Sequence, residues 1–122
     1  MSNAAICIRW GAPIVGRETK GLEVFNAVME YNARLEKEGK ITALRTYITS
    51  NGNLGSFGGF MITEGEVAQL RAVVDSNEFQ MLLVKAQHCV SNMEVTHCVS
   101  GSGIGQSIER LMTARKELGI TT

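Results

Sequence analysis

The sequence has 122 residues and 13.3 kDa, 44% of them apolar, which is the material of one domain able to close a core. Twelve basic residues balance twelve acidic ones, so the formal net charge is zero; this excludes a broad electrostatic footprint for nucleic acid or anionic lipid, and no net charge opposes association of the chains. Three cysteines lack framework spacing, no charged and apolar leader opens the chain, and no apolar run is long enough to span a bilayer, so the expectation is a cytoplasmic protein with reduced thiols.

Ala5 to Trp10 alternates as a strand, with Ile6, Ile8 and Trp10 on one face and Cys7 and Arg9 on the other. Gly11 to Gly21, with the only proline, Pro13, reads as a loop. From Leu22 to Glu38 the residues Val24, Phe25, Val28, Met29, Tyr31 and Leu35 recur at helical spacing, and Gly39 is a natural stop.

Ile41 to Thr49 reads as the second strand. Thr42, Leu44, Thr46 and Ile48 would face the helices, and Ile41, Ala43, Arg45 and Tyr47 the other side. Ser50-Asn51-Gly52-Asn53 predicts a tight hairpin turn. Phe57 to Thr63 is the third strand, where Gly58-Gly59 marks a bulge or a group approaching the backbone closely. Phe57 and Phe60 are three apart and fall on opposite faces of a regular strand. With zero net charge, that sets aside an aromatic platform for RNA.

Thr63 to Glu66 fits a capping box with Thr63 as the N-cap, opening a helix that carries Val67, Leu70, Val73 and Val74. A second capping signal, Asp75-Ser76-Asn77-Glu78, predicts a break and a new helix with Phe79, Leu82, Leu83 and Ala86. Met93 to Ser100 is the fourth strand. Met93, Val95, His97 and Val99 would face the helices, and Glu94, Thr96 and Cys98 the other side. Gly101 to Gly105 lacks the dinucleotide-binding spacing and reads as a flexible connector. Ile104, Ile108, Leu111, Met112 and Leu118 then form a last amphipathic helix.

This order, β-α-β-β-α-β plus a helix, predicts an α+β split sandwich with its helices on one face of an antiparallel sheet. One domain over residues 1–122 is expected, with a core at about 5–100 and a C-terminal helix at about 104–118. The other sheet face is left needing a partner or a ligand. The usual strand order sets the first and fourth strands side by side, making Arg9 and Glu94 cross-strand neighbours, with Arg45 and Tyr47 farther across.

Two readings of that surface stay open. In one, Arg9 and Arg45 hold an anionic or enolic ligand, with Glu94 as a base and Tyr47 as a hydroxyl donor. In the other, the ion pair neutralises charge at a dimer interface. Arg17 is a further ligand-binding candidate from a loop, or it caps the following helix or pairs with Glu18. Cys98 is a candidate reactive thiol near Arg9, or a small apolar filler. His97 and Cys98, adjacent on a strand, point apart, so they cannot easily share an ion, and His88-Cys89 and His97-Cys98 match no zinc spacing. His97 is expected in the core or at an interface. No metal and no cofactor is called for.

Two stretches carry a family resemblance: Ile8-Arg9-Trp10-Gly11 with Gly16-Arg17-Glu18 and Leu22-Glu23-Val24-Phe25, and Gly59-Phe60-Met61-Ile62 with Glu64-Gly65 and Ser76-Asn77-Glu78-Phe79. Over Ile6 to about Val99 the chain resembles small uncharacterised bacterial proteins of the dimeric α/β-barrel superfamily. The resemblance implies a ferredoxin-like unit whose sheet packs on a second copy, enclosing a cavity. It implies no activity, because the superfamily spans monooxygenases of antibiotic biosynthesis, muconolactone-isomerase-like enzymes, haem-binding members and stress-induced proteins. The expected function is binding of a small anionic or enolic molecule in a polar cavity of a homodimer, without nucleic acid or membrane. The alternatives are a cofactor-independent monooxygenase or isomerase, and a non-catalytic accessory or stress protein.

Overall fold

The computed structural model describes residues 2–54 and 57–120. The elements are β1 (Ala4–Trp10), α1 (Glu18–Lys37), β2 (Ala43–Ile48), β3 (Gly59–Gly65), α2 (Val67–Asp75), α3 (Asn77–Gln87), β4 (Glu94–Val99) and α4 (Ser102–Glu117). The sheet order is β2-β3-β1-β4, with every neighbouring pair antiparallel. This is the ferredoxin-like α+β arrangement. Its core lies on one side of the sheet, where Ile6, Ile8, Tyr31, Leu35, Val73 and Phe79 pack together. The two-residue alternation of β1 sends Ile6 and Ile8 into that core and leaves Cys7 and Arg9 on the other face.

Several boundaries differ from the sequence expectations. Helix α1 starts at Glu18 rather than Leu22. Gly21 does not delay it, because that glycine sits against Cys89, where an added Cβ would stand 3.5 Å from the cysteine Cβ. Ile41 precedes β2 and is buried in the core instead of facing outward. Thr63 is not a cap: β3 continues pairing through Gly65, opposite Ala4, and the ladder bonds prevail over a local capping bond. The cap of α2 is Glu66, whose backbone N–H donates to Gln69 Oε1 at 2.9 Å in a reciprocal capping box.

The break between α2 and α3 falls where Ser76 was expected to cap. Its hydroxyl accepts from the Phe79 N–H at 3.2 Å and lies 3.2 Å from the Tyr31 hydroxyl, which ties the break to α1. Arg34 and Glu78 join α1 to α3 again at 2.6 Å. The hydrogen bond that Arg34 donates to the Glu78 carboxylate, and then the charge of that carboxylate, raise the Arg34 pKa above its ordinary value.

In place of the expected tight hairpin, β2 ends at Ile48 and β3 begins at Gly59, with Thr49 N–H donating to the Gly58 carbonyl (2.9 Å) and Phe57 N–H to the Asn53 carbonyl (2.9 Å). Gly52 takes a positive φ of 141°, and part of the expected connection, Gly55 and Ser56, lies outside the described residues. Gly58 and Gly59 do mark a close approach. A Cβ on Gly58 would meet the Gly11 carbonyl at 2.5 Å, and one on Gly59 would meet the Trp10 ring and the Tyr47 carbonyl, each at 2.7 Å.

The glycines after β4 form no flexible connector. They are the N-cap and first turn of α4, and Gly101 and Gly103 lie so close to the Ser2 and Asn3 carbonyls that only hydrogen fits. Beyond that turn α4 leaves the sheet face open, with Ile104, Ile108, Leu111 and Met112 exposed. Among the described residues, no helix is long and apolar enough to cross a membrane.

Candidate functional site

The sheet's outer face gathers four of the residues singled out from sequence. Arg9 stands directly opposite Glu94, with its guanidinium 3.8 Å from the carboxylate. Arg45 reaches Glu64 on the neighbouring strand at 4.0 Å. Both pairs are solvated in the single chain, where such pairs contribute little. Tyr47 is opposite Phe60 and stacks on it, with centroids 4.8 Å apart. Strand spacing puts the Arg9 and Arg45 backbones about 12 Å apart across β3, with Phe60 and Ile62 between them.

Phe57 corrects one expectation. It lies 5.6 Å from Phe60 by ring centroids and under the Arg9 guanidinium, 4.7 Å from it. The regular alternation of β3 begins only at Gly59, so the parity argument that parted the two rings does not reach Phe57. The outer face therefore carries an aromatic row, Tyr47, Phe60 and Phe57, flanked by the two Arg–Glu pairs.

The other candidates lie apart from this surface group or do structural work. Cys98 is on the outer face but opposite Ala5, about 13 Å along the strands from Arg9, and it is exposed, so neither the Arg9 neighbourhood nor the filler role describes it. The buried thiol is Cys89. Arg17 donates to the His88 carbonyl at 2.7 Å and so joins the start of α1 to the end of α3. His97 faces the helix side, opposite Ile6, yet on this edge strand it is exposed rather than in the core. Among the described residues, no group of three His, Cys, Asp or Glu side chains could hold a metal.

A mainly apolar cavity lies on the opposite side of the sheet from Arg9 and Arg45. It has a volume of about 520 Å³ and lies between α1, α3 and the inner sheet face. Its wall is mainly apolar, with Ile8, Trp10, Phe25, Val28, Leu82 and Leu83 prominent. The Trp10 indole meets the Phe25 ring edge-on at 6.1 Å, and Gly59 leaves room for it against β3. Ionisable side chains on this wall are few: Glu18 from the first turn of α1, Tyr31 and the Cys89 thiol.

Two polar residues of the wall escaped the sequence reading. Asn32 is buried on α1, and Thr63 is buried on β3. The signal for Asn32 was its place in the apolar stripe, four residues after Val28 and three before Leu35, where a helix turns inward. Thr63 alternates with Met61 on the inward face, a pattern obscured by reading it as a cap.

No protein-family model matches the sequence, and no curated protein sequence matches it. Solved structures do resemble the fold. A dimeric protein of unknown function and ferredoxin-like fold from Bacteroides fragilis superposes with a TM-score of 0.59 at 9% identity, over 80% of this chain and 95% of that one. SnoaB, a cofactor-independent oxygenase from Streptomyces nogalater, superposes with a TM-score of 0.55 at 9% identity, over 83% of this chain and 93% of that one. At such identities the likeness establishes the ferredoxin-like fold and nothing finer.

Proposed function

We propose that this chain binds a small, flat, mostly apolar molecule in the cavity between α1, α3 and the sheet, and that it does so as a homodimer joined through the outer sheet face. The cavity carries the reading: it has the volume and the predominantly apolar wall of a small-molecule site, and it is lined by aromatic rings on the side nearest β1. It moves the ligand away from the arginines and towards apolar chemistry. Binding is favoured over catalysis because the wall lacks a paired acid and base: the Tyr31 hydroxyl is engaged with Ser76, and among the described residues the wall sets no histidine, lysine, arginine or second carboxylate beside Glu18. Three unpaired thiols suit a reducing, cytoplasmic setting.

The outer face fits a second copy. It offers a stacked aromatic strip bordered by Arg9–Glu94 and Arg45–Glu64, pairs whose charges cancel when covered. The dimeric state of the Bacteroides fragilis neighbour supports a dimer of this fold.

The test of the cavity uses the protein's single tryptophan, Trp10, which lies on its wall. Naphthalene should quench Trp10 fluorescence saturably, and Ala86→Leu, which pushes a larger side chain in from α3, should weaken that binding at least tenfold. Quenching that never saturates, or that Ala86→Leu leaves alone, would remove the cavity as a binding site.

A further inference from the structure

Two polar side chains stand on the wall of the apolar cavity. Asn32 is 4% exposed and Thr63 is 5% exposed, and both line the cavity. The Asn32 amide donates to the Val28 carbonyl at 2.9 Å, a bond within its own helix. Among the described residues, no partner accompanies its Oδ1, and none accompanies the Thr63 hydroxyl. Neither oxygen is sealed in protein, since the fully buried and unpartnered side-chain polar atoms of the described residues are the Ser2 and Ser100 hydroxyls. The two oxygens are therefore open to the cavity.

Such groups are costly where they stand. An asparagine in mid-helix has lower helix propensity than the leucine that would fill an inward position, and a buried acceptor without a donor costs about 1–3 kcal/mol. Water or a ligand must supply the missing partner. From this we infer that Asn32 and Thr63 are the polar anchors of the cavity and select a neutral ligand: a planar apolar ring system bearing a hydroxyl, of phenol or enol type. The Asn32 oxygen accepts from that hydroxyl, and the Thr63 hydroxyl can accept or donate. An anion finds no cation on this wall and meets the Glu18 carboxylate instead. This inference rests on the cavity reading above and narrows it.

The experiment compares naphthalene, naphthol and naphthoate, three molecules of one ring system, by Trp10 quenching at neutral pH. Naphthol should bind roughly tenfold more tightly than naphthalene, as one net hydrogen bond allows, and naphthoate more weakly than either. In Asn32→Leu the ratio of naphthol to naphthalene affinity should fall to about one, and Thr63→Val should reduce it. Equal binding of naphthol and naphthalene by the unaltered protein would overturn the anchors while leaving the cavity standing. So would naphthoate binding as tightly as naphthol, or a naphthol preference that survives in Asn32→Leu. If none of the three quenches Trp10, the cavity reading fails and the anchors fail with it.

Discussion

The Trp10 indole occupies the space that a side chain at residue 59 would need. A Cβ built on Gly59 would stand 2.7 Å from the ring, and equally close to the Tyr47 carbonyl of β2. One side of that contact is a rigid ring and the other is backbone, so neither can withdraw cheaply. Gly59→Ala is expected to destabilise the fold by about 1–3 kcal/mol, the usual range for overpacking. It should also push Trp10 into the cavity that its ring borders, so the variant should lose naphthalene binding by more than its stability loss accounts for. Denaturant titration and fluorescence quenching measured together check this. A variant as stable as the parent would show that the ring moves aside freely.

The outer face makes a second prediction. Phe60 stacks between Tyr47 and Phe57 in the middle of the aromatic strip. If a second copy covers that strip, Phe60→Lys buries an unpaired charge in each half of the interface and should shift sedimentation at micromolar concentration from dimer to monomer. Phe60 is not on the cavity wall, so naphthalene binding by the chain should persist. A parent protein that sediments as a monomer would refute the homodimer directly.

How far the sequence could be read depended on which interaction each pattern reports. Strand alternation and helical periodicity report burial, and they located β1 and α1 because burial decides those elements; the Ser76 break was legible from its capping signal, with which no strand pairing competes. Capping and turn signals report local bonds, and these yielded where non-local pairing competed. Thr63 lost its cap to the β3 ladder, and Asn51-Gly52 closes no tight hairpin because β2 stops at Ile48. The Arg9–Glu94 pairing was legible because the usual strand order sets β1 beside β4 and the alternating apolar residues of both strands leave Arg9 and Glu94 on the same face. The cavity was not, because free volume between α1, α3 and the sheet depends on how far the helices stand off, which no periodicity encodes. Asn32 was the available hint, a polar side chain at an inward helical position.

Ser76 joins three elements through one hydroxyl. It accepts from the Phe79 N–H to start α3, donates to the Val73 carbonyl at 2.7 Å and stands 3.2 Å from the Tyr31 hydroxyl. Ser76→Ala removes the cap and leaves the half-buried Tyr31 hydroxyl without that neighbour. The expected loss is about 1–2 kcal/mol, read from thermal or denaturant unfolding. Tyr31→Phe in the Ser76→Ala background should then cost less than in the parent, because the two changes share one contact. Strict additivity would mean that the hydroxyls do not interact.

Asn32→Leu gives the opposite sign. The substitution loses the bond to the Val28 carbonyl, but that carbonyl also belongs to the α1 ladder and is not orphaned by the change. In return the helix gains a better former, an unmatched buried oxygen disappears, and an apolar side chain faces the empty volume beside Val28 and Leu83. The net expectation is stabilisation by about 1 kcal/mol, seen as a higher unfolding midpoint, together with the lost preference for naphthol. A gain in stability that accompanies a loss of recognition is the mark of a residue retained for its ligand. Were the unfolding midpoint to fall by a comparable amount, Asn32 would be holding the helix in place, and the oxygen facing the cavity would be incidental.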